Sequence, residues 1–184
     1  MIITIEGTNS LLLHKYTVST ISKGPGIRGL KEDYSTEWKK STYLNDKGQV
    51  IMPWQNIMAS IYDGCKGEKD GKIFLTRVVN TSLEVITLEP LILIDNSPIT
   101  LDLIEEKDWI YVCGAVISGR RVDRSRTMLP AGWRVTFEIG LKDKLFDEEM
   151  VKEIVTKAGV KAGFGDWRPS APKKPGPYGT YKLI

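Results

Sequence analysis

The sequence predicts an α+β fold in which one antiparallel sheet carries two main helices on one face. Three observations lead there. Residues 133–141, WRVTFEIGL, alternate Trp133, Val135, Phe137, Ile139 and Leu141 with Arg134, Thr136 and Glu138, the period of a half-buried strand. The next stretch, LFDEEMVKEIVTKAGV, has helical spacing and helical ends, and is followed by a loop and a last strand. A strand–helix unit stands earlier in the chain, so strands and helices are mixed in the manner of an α+β layer.

Taken in order, MIITIEG reads as a strand closed by Gly7, and SLLLHK as a short apolar segment. Residues 19–37 are glycine-rich and read as a loop. LNDKGQV supplies a hairpin turn at Asp46, Lys47 and Gly48. PWQNIMASIYDG reads as a helix: Pro53 suits the first turn, Ile57, Met58 and Ile61 recur at helical spacing, and Gly64 can end it. KIFLTRVVN, EVITLEPLILID and WIYVCGAVI are rich in β-branched residues and read as strands, with NSPI as a turn. In the second helix Asp147 is the N-cap, followed by two glutamates that suit the helix dipole. Phe146 and Val151 occupy the staple positions. Met150, Val151, Ile154, Val155 and Ala158 form the apolar stripe, and Gly159 is expected to end it.

These elements fit one domain over residues 1–184. The layout is that of a ferredoxin-like or RRM-like sandwich, with 66–118 as a β-rich insertion and 163–184 as a glycine-rich loop and last strand. Ile154, Phe137 and Val135 belong in the core.

Composition narrows the function. With 41% apolar and 27% charged residues the chain has material for a packed core. A net charge of +3 does not argue for a nucleic-acid partner by itself, so the distribution of charge matters more. The two cysteines, Cys65 and Cys113, are far apart, which excludes a disulfide scaffold and a zinc finger and reads as two reduced thiols. The N-terminus lacks the pattern of a signal peptide, and no apolar run reaches the ~20 residues of a membrane helix. A cytoplasmic protein, with no membrane partner, is expected.

Residues 119–134 hold five arginines against one acid, Asp123. Arg120, Arg121, Arg124 and Arg126 would crowd along one hairpin and repel one another unless an anion neutralises them. Arginine forks bind phosphate bidentately and stack on bases. A solvated arginine-rich surface is the competing reading, and in either case these side chains are expected to be exposed. The stretch GFGDWRPSAPKKPGPYGTYKL sets Arg168, Lys173 and Lys174 beside Trp167 and Tyr178. Interleaved charge and rings suit a single strand, whose phosphates need cations and whose bases need stacking surfaces. The alternative is that the rings anchor the loop to the sheet and Asp166 pairs locally with Arg168. Lys39 and Lys40 beside Trp38 and Tyr43 form a third basic–aromatic patch.

Other chemistry is sparse. His14 is the one histidine. It assembles no Ser/His/Asp or Cys/His constellation, and it reads first as structural. There is no P-loop, GFGDWRPS follows a helix instead of preceding one, and GPGIRG at 24–29 is a weak phosphate-loop candidate. The carboxylates lack metal-ligand spacing. Neither a metal nor a cofactor is expected.

Four stretches, in order, carry a resemblance: IEGTNSLLLHK, YLNDKGQVIMPWQNIMASI, GRRVDRSRTMLPAGWRVTFEI and AGVKAGFGDWRPS…GPYGTYKL. The chain resembles a small phage-encoded member of the RAMP superfamily, the ferredoxin-like RNA-binding proteins of CRISPR effector complexes. Ser10 and Leu13 depart from the pattern, APKKP lengthens the loop, and residues 66–108 are poorly covered. The resemblance implies a non-catalytic protein that binds single-stranded RNA, or DNA. It would self-associate or join effector-complex subunits, in the host cytoplasm if phage-encoded, with the terminal loop lying across the sheet. It leaves open an endoribonuclease using His14 with Lys15 or Tyr16. A third reading is a virion or host-interaction protein whose arginines meet an acidic surface.

Overall fold

A computed structural model describes residues 1–15, 36–117 and 120–184, with the side chains of 115–117 and 120–122 left aside. GPGIRG and Tyr16 lie outside the described residues, as do the Arg120 and Arg121 side chains.

In chain order the elements are β1 (Ile2–Gly7), β2 (Leu11–Leu13), α1 (Glu37–Ser41), α2 (Trp54–Gly64), β3 (Lys69–Asp70), β4 (Ile73–Phe74), α3 (Val79–Ser82), β5 (Leu83–Val85), β6 (Ile92–Ile94), β7 (Ser97–Pro98), α4 (Leu101–Glu106), β8 (Ile110–Ile117), β9 (Arg120–Leu129), β10 (Arg134–Leu141), α5 (Glu148–Lys161) and β11 (Tyr181–Leu183).

The chain is α+β, and its main sheet is antiparallel. Its order is β11-β1-β10-β6-β7, with β5 also on β10. β1 runs against β10 from Ile2 opposite Glu138 to Glu6 opposite Arg134. The alternation read in 133–141 is what this pairing needs: Trp133, Val135, Phe137 and Ile139 are buried, while Leu141 at the strand end is exposed. Helices α2 and α5 pack on each other against the buried face, with Ile57, Ile61, Val151, Ile154, Val155 and Ala158 in the core. A smaller sheet, β2-β9-β8, is built from the long β8–β9 hairpin with β2 along its other side.

Several local readings hold. Asp147 Oδ1 accepts from Met150 N at 2.8 Å, capping α5, and Phe146 and Val151 are both buried beside it. Asn45 Oδ1 accepts from Lys47 N and Gln49 N at 3.0 Å, closing the LNDKGQV turn.

Others need correction. KIFLTRVVN is not a strand. Only Ile73 and Phe74 are extended, and Leu75–Arg77 and α3 follow as helical turns. Leu75 and Val79, four apart, are the buried pair, so packing at helical spacing overrides β-branched propensity. Four of the five arginines of 119–134 lie in strand β9, and Arg134 opens β10. Within 66–118, β5 and β6 pair with β10 in the main sheet while β8 joins the second. Gly159 does not end α5, which runs to Lys161 and stops before Gly163 at φ +67°. Gly159 is needed for another reason: a methyl there would overlap the Tyr181 carbonyl oxygen on β11.

Gly159→Ala should therefore destabilise the chain by about 1–3 kcal/mol through forced displacement of β11. Val160→Ala beside it, at a position 68% exposed, should stay within about 0.5 kcal/mol. Urea midpoints of the two variants check this; equal midpoints would contradict the helix–strand contact.

Candidate nucleic-acid interface

The main sheet's outer face has little to offer a base. On β1 and β10 it presents Ile2, Thr4, Glu6, Arg134, Thr136 and Glu138, and on β11 Lys182. Thr4 and Thr136 hydroxyls meet at 3.0 Å, and Glu6 is held by Arg134 at 2.6 Å and Lys182 at 2.9 Å. No aromatic side chain stands among these residues.

The rings gather instead where the terminal loop meets the second sheet. Trp167 is 5.7 Å from Tyr111, edge to face, and 6.1 Å from Tyr178, and Tyr111 and Tyr178 are 6.4 Å apart. The Arg126 guanidinium lies 5.5 Å from the Trp167 ring centre. All four side chains are half-buried. Tyr111 belongs here because β8–β9 register sets it directly opposite Arg126. Burial, and to a lesser degree Tyr178, raise the Tyr111 hydroxyl above its ordinary pKa, so it remains a neutral donor.

The loop is fixed from both ends. Phe164 and Tyr181 are buried and stacked at 4.7 Å, with Trp133 6.0 Å from Phe164 and 6.4 Å from Tyr181. Tyr181 Oη and Ser60 Oγ are 2.9 Å apart inside the core, and burial drives that phenol's pKa far up. Asp166 N donates to Leu12 O at 2.9 Å and Gly179 N to Ser10 O at 2.8 Å. At Gly165, φ +72°, a side chain would overlap the Leu12 carbonyl, so glycine is required for this approach. Trp167 sits at φ +52° without being glycine. That left-handed conformation is uncommon for a bulky residue and persists only where its surroundings hold it.

Asp166 is the centre of the charge arrangement, and its partners are distant residues that sequence reasoning does not connect to it. Its Oδ2 is 3.2 Å from His14 Nδ1 and 3.0 Å from Arg126 Nε. The Arg126 N–H is not aimed at that oxygen, so the contact is ionic rather than a hydrogen bond. Arg126 Nη1 also donates to Cys113 Sγ at 3.4 Å. Burial raises the Asp166 pKa, but the His14 bond and the charges of Arg126, His14 and Arg168 outweigh it, so the carboxyl stays below its ordinary value.

The expectation of exposed arginines at 120–126 is corrected for the two that are described. The Arg126 side chain is 13% exposed, and Arg124 is 22% exposed with a bidentate pair to Glu37. Carboxylates brought from far along the chain supply the neutralising anions. Arg168 does not pair with Asp166: its Nε donates to Ser170 Oγ and its Nη1 to Gly165 O, both at 3.0 Å. Lys173 and Lys174 are exposed on the loop. On α1, Lys39 is 2.8 Å from Glu105 and 5.2 Å from the Trp38 ring centre; Lys40 is exposed. Trp38 itself is buried and offers no free ring, while Tyr43 is half-buried.

Beside the rings, a pocket of about 120 Å³ is lined by His14, Tyr43, Asn56, Ser60, Asp166 and Arg168, among others. Among the described residues no three His, Cys, Asp or Glu side chains are grouped to hold a metal, and no helix is long and apolar enough to cross a membrane. Cys65 is buried, its thiol pushed up to about 11 chiefly by burial, which suits a packing role.

No protein-family model matches the chain, and no curated protein does either.

Because the folded Asp166 pKa lies below its ordinary 3.8, its pairing stabilises the chain fully above that value. The contribution is lost as pH falls from there through the lowered one. Wild type should exceed Asp166→Asn in urea midpoint at neutral pH, and the gap should close on acidification. A gap independent of pH would contradict the ionised hub.

Proposed function

We propose that the chain is a non-catalytic single-stranded nucleic-acid-binding protein, built on a ferredoxin-like frame of the RAMP type. One observation carries the binding reading: Tyr111, Trp167 and Tyr178 lie within 5.7–6.4 Å of one another, with Arg126 over Trp167 and exposed Lys173 and Lys174 on the same loop. Rings supply sequence-tolerant stacking and lysines supply phosphate neutralisation. The strained Trp167 backbone fits a residue held for use.

The frame reading rests on topology. Taking β1, α2, β5 with β6, β10, α5 and β11 in order gives β-α-β-β-α-β, with sheet order β11-β1-β10-β6 and antiparallel neighbours throughout. That order supports the reading of a ferredoxin-like sandwich. RNA over DNA follows from the superfamily resemblance, as does assembly with copies of itself or with other subunits.

A second reading has its own observation. His14, positioned by Asp166 at 3.2 Å on a pocket wall, is the arrangement of an oriented acid–base histidine in an endoribonuclease. The host-interaction reading is weakened, because Arg124 and Arg126 already have carboxylates within the chain.

Trp167→Ala should lower affinity for labelled single-stranded RNA about tenfold or more, one stacked base being worth roughly 1–3 kcal/mol. Lys173→Ala with Lys174→Ala should reduce the slope of log affinity against log salt by about 0.7 for each phosphate no longer neutralised. Affinity indifferent to salt, or a Trp167→Ala protein that melts earlier yet binds like wild type, would overturn the interface. RNA cleavage by wild type that His14→Ala abolishes, with the fold preserved, would establish the second reading.

A further inference from the structure

The pocket beside the aromatic cluster has no task in a sequence-tolerant platform. Its lining is mixed. Asp166 brings an acceptor that stays ionised, His14 and Arg168 bring nitrogens, Asn56 brings an amide and Tyr43 a hydroxyl. Ser60 is occupied by Tyr181, and Arg168 spends Nε and Nη1 inside the loop. Asn56 is different. Its side-chain amide nitrogen makes a 3.9 Å contact to Met52 Sδ, and that amide group makes no other hydrogen bond among the described residues. An amide left with both donor and acceptor capacity can read a partner carrying both.

The carboxylate in the wall disfavours an anion, so the pocket does not suit a phosphate. Its size excludes a chain. A closed cavity of about 150 Å³ takes a benzene ring; an open one of about 120 Å³ suits a single ring better than a fused pair. A planar ring with donors and acceptors on one edge is a pyrimidine base, and single-stranded RNA exposes such edges once a base leaves the stack. The pocket also adjoins the platform, for Asp166 and Trp167 are consecutive, and Asp166 is the residue that ties His14 to Arg126.

We propose that this pocket receives one unstacked pyrimidine base of the bound strand and gives the protein a preference for uridine or cytidine at that position. The inference rests on the nucleic-acid reading above. Stacking on Trp167 and Tyr178 holds the strand, and Asn56 reads the edge of the base that turns away from it.

The test measures affinities of the full chain for short homopolymers of uridine, cytidine and adenosine. It uses wild type, Asn56→Leu and Ala59→Phe. Ala59 is an exposed pocket-lining residue on α2, so a phenyl group there fills the pocket from outside without entering the core. Wild type should bind a pyrimidine homopolymer about tenfold more tightly than the adenosine one, the order of discrimination of one well-read base. Both variants should bring the preferred homopolymer down to the level of the adenosine one, with melting temperatures near wild type. Equal binding of all three by wild type, or an undiminished pyrimidine preference in both variants, would overturn the pocket while leaving the platform standing. Failure of wild type to bind any of them at low salt would overturn both.

Discussion

The stack of Phe164 on Tyr181 decides where everything else near the candidate site lies. These two rings stand at the start and the end of the terminal loop, 4.7 Å apart and buried against Trp133. The loop between them is closed by a contact among core residues rather than by its own sequence. Closing a long loop costs entropy that grows only slowly with length, and this anchor acts together with the backbone bonds to Ser10 and Leu12 to hold a glycine- and proline-rich segment in place. Trp133 is in turn fixed by its indole N–H donating to Asn9 O at 2.9 Å. The anchor thus reaches the connection between β1 and β2, and the loop's backbone lands on Ser10 there and on Leu12 of β2.

Charge placement follows from that docking. An arginine only 13% exposed needs a partner, because desolvating a lone cation is far costlier than leaving it in water. β9 can carry Arg124 and Arg126 because α1 delivers Glu37 and the docked loop delivers Asp166. The loop is therefore both a covering for the hairpin and its counterion. Removing the aromatic anchor would leave Arg126 without the carboxylate beside it and Trp167 without the cation over it.

How much of this is legible in the sequence depends on the range of each interaction. α2, α5, β1 and β10 can be read because their signals are local: caps, period and staple lie within a few residues of each other. α4 hides behind NSPIT, which has the composition of a plain turn, although Thr100 caps the helix through a 3.3 Å bond to Leu103 N. The second sheet is invisible for a different reason. Its edge, Leu11–Leu13, is too short to alternate, and all three of its leucines are buried. At the site, residue type alone points to Trp167, Tyr178, Arg126 and His14. It also suggests the wrong arginine for Asp166 and gives no reason to choose Tyr111. Both errors have one source: partners across a hairpin or a docked loop are set by register, which no local pattern encodes. The β8–β9 register sets Tyr111 opposite Arg126.

The two sheets explain why a ligand site would form at this seam and not on the open face of the larger one. Residues 8–10 carry the chain from β1 to β2, and residues 130–133 carry it back from β9 to β10, so the sheets are joined twice where the end of β1 meets the start of β10. The loop bridges the same end. Thr8 N donates to Thr180 O, and Asp166 N to Leu12 O, one bond on each side of the crossing. A flat polar face can neutralise itself, as Glu6, Arg134 and Lys182 do. At the seam a cavity lies beside Asp166, between the docked loop and α2, and the rings are only half covered. Concavity and partial desolvation meet there with a backbone strained at Trp167.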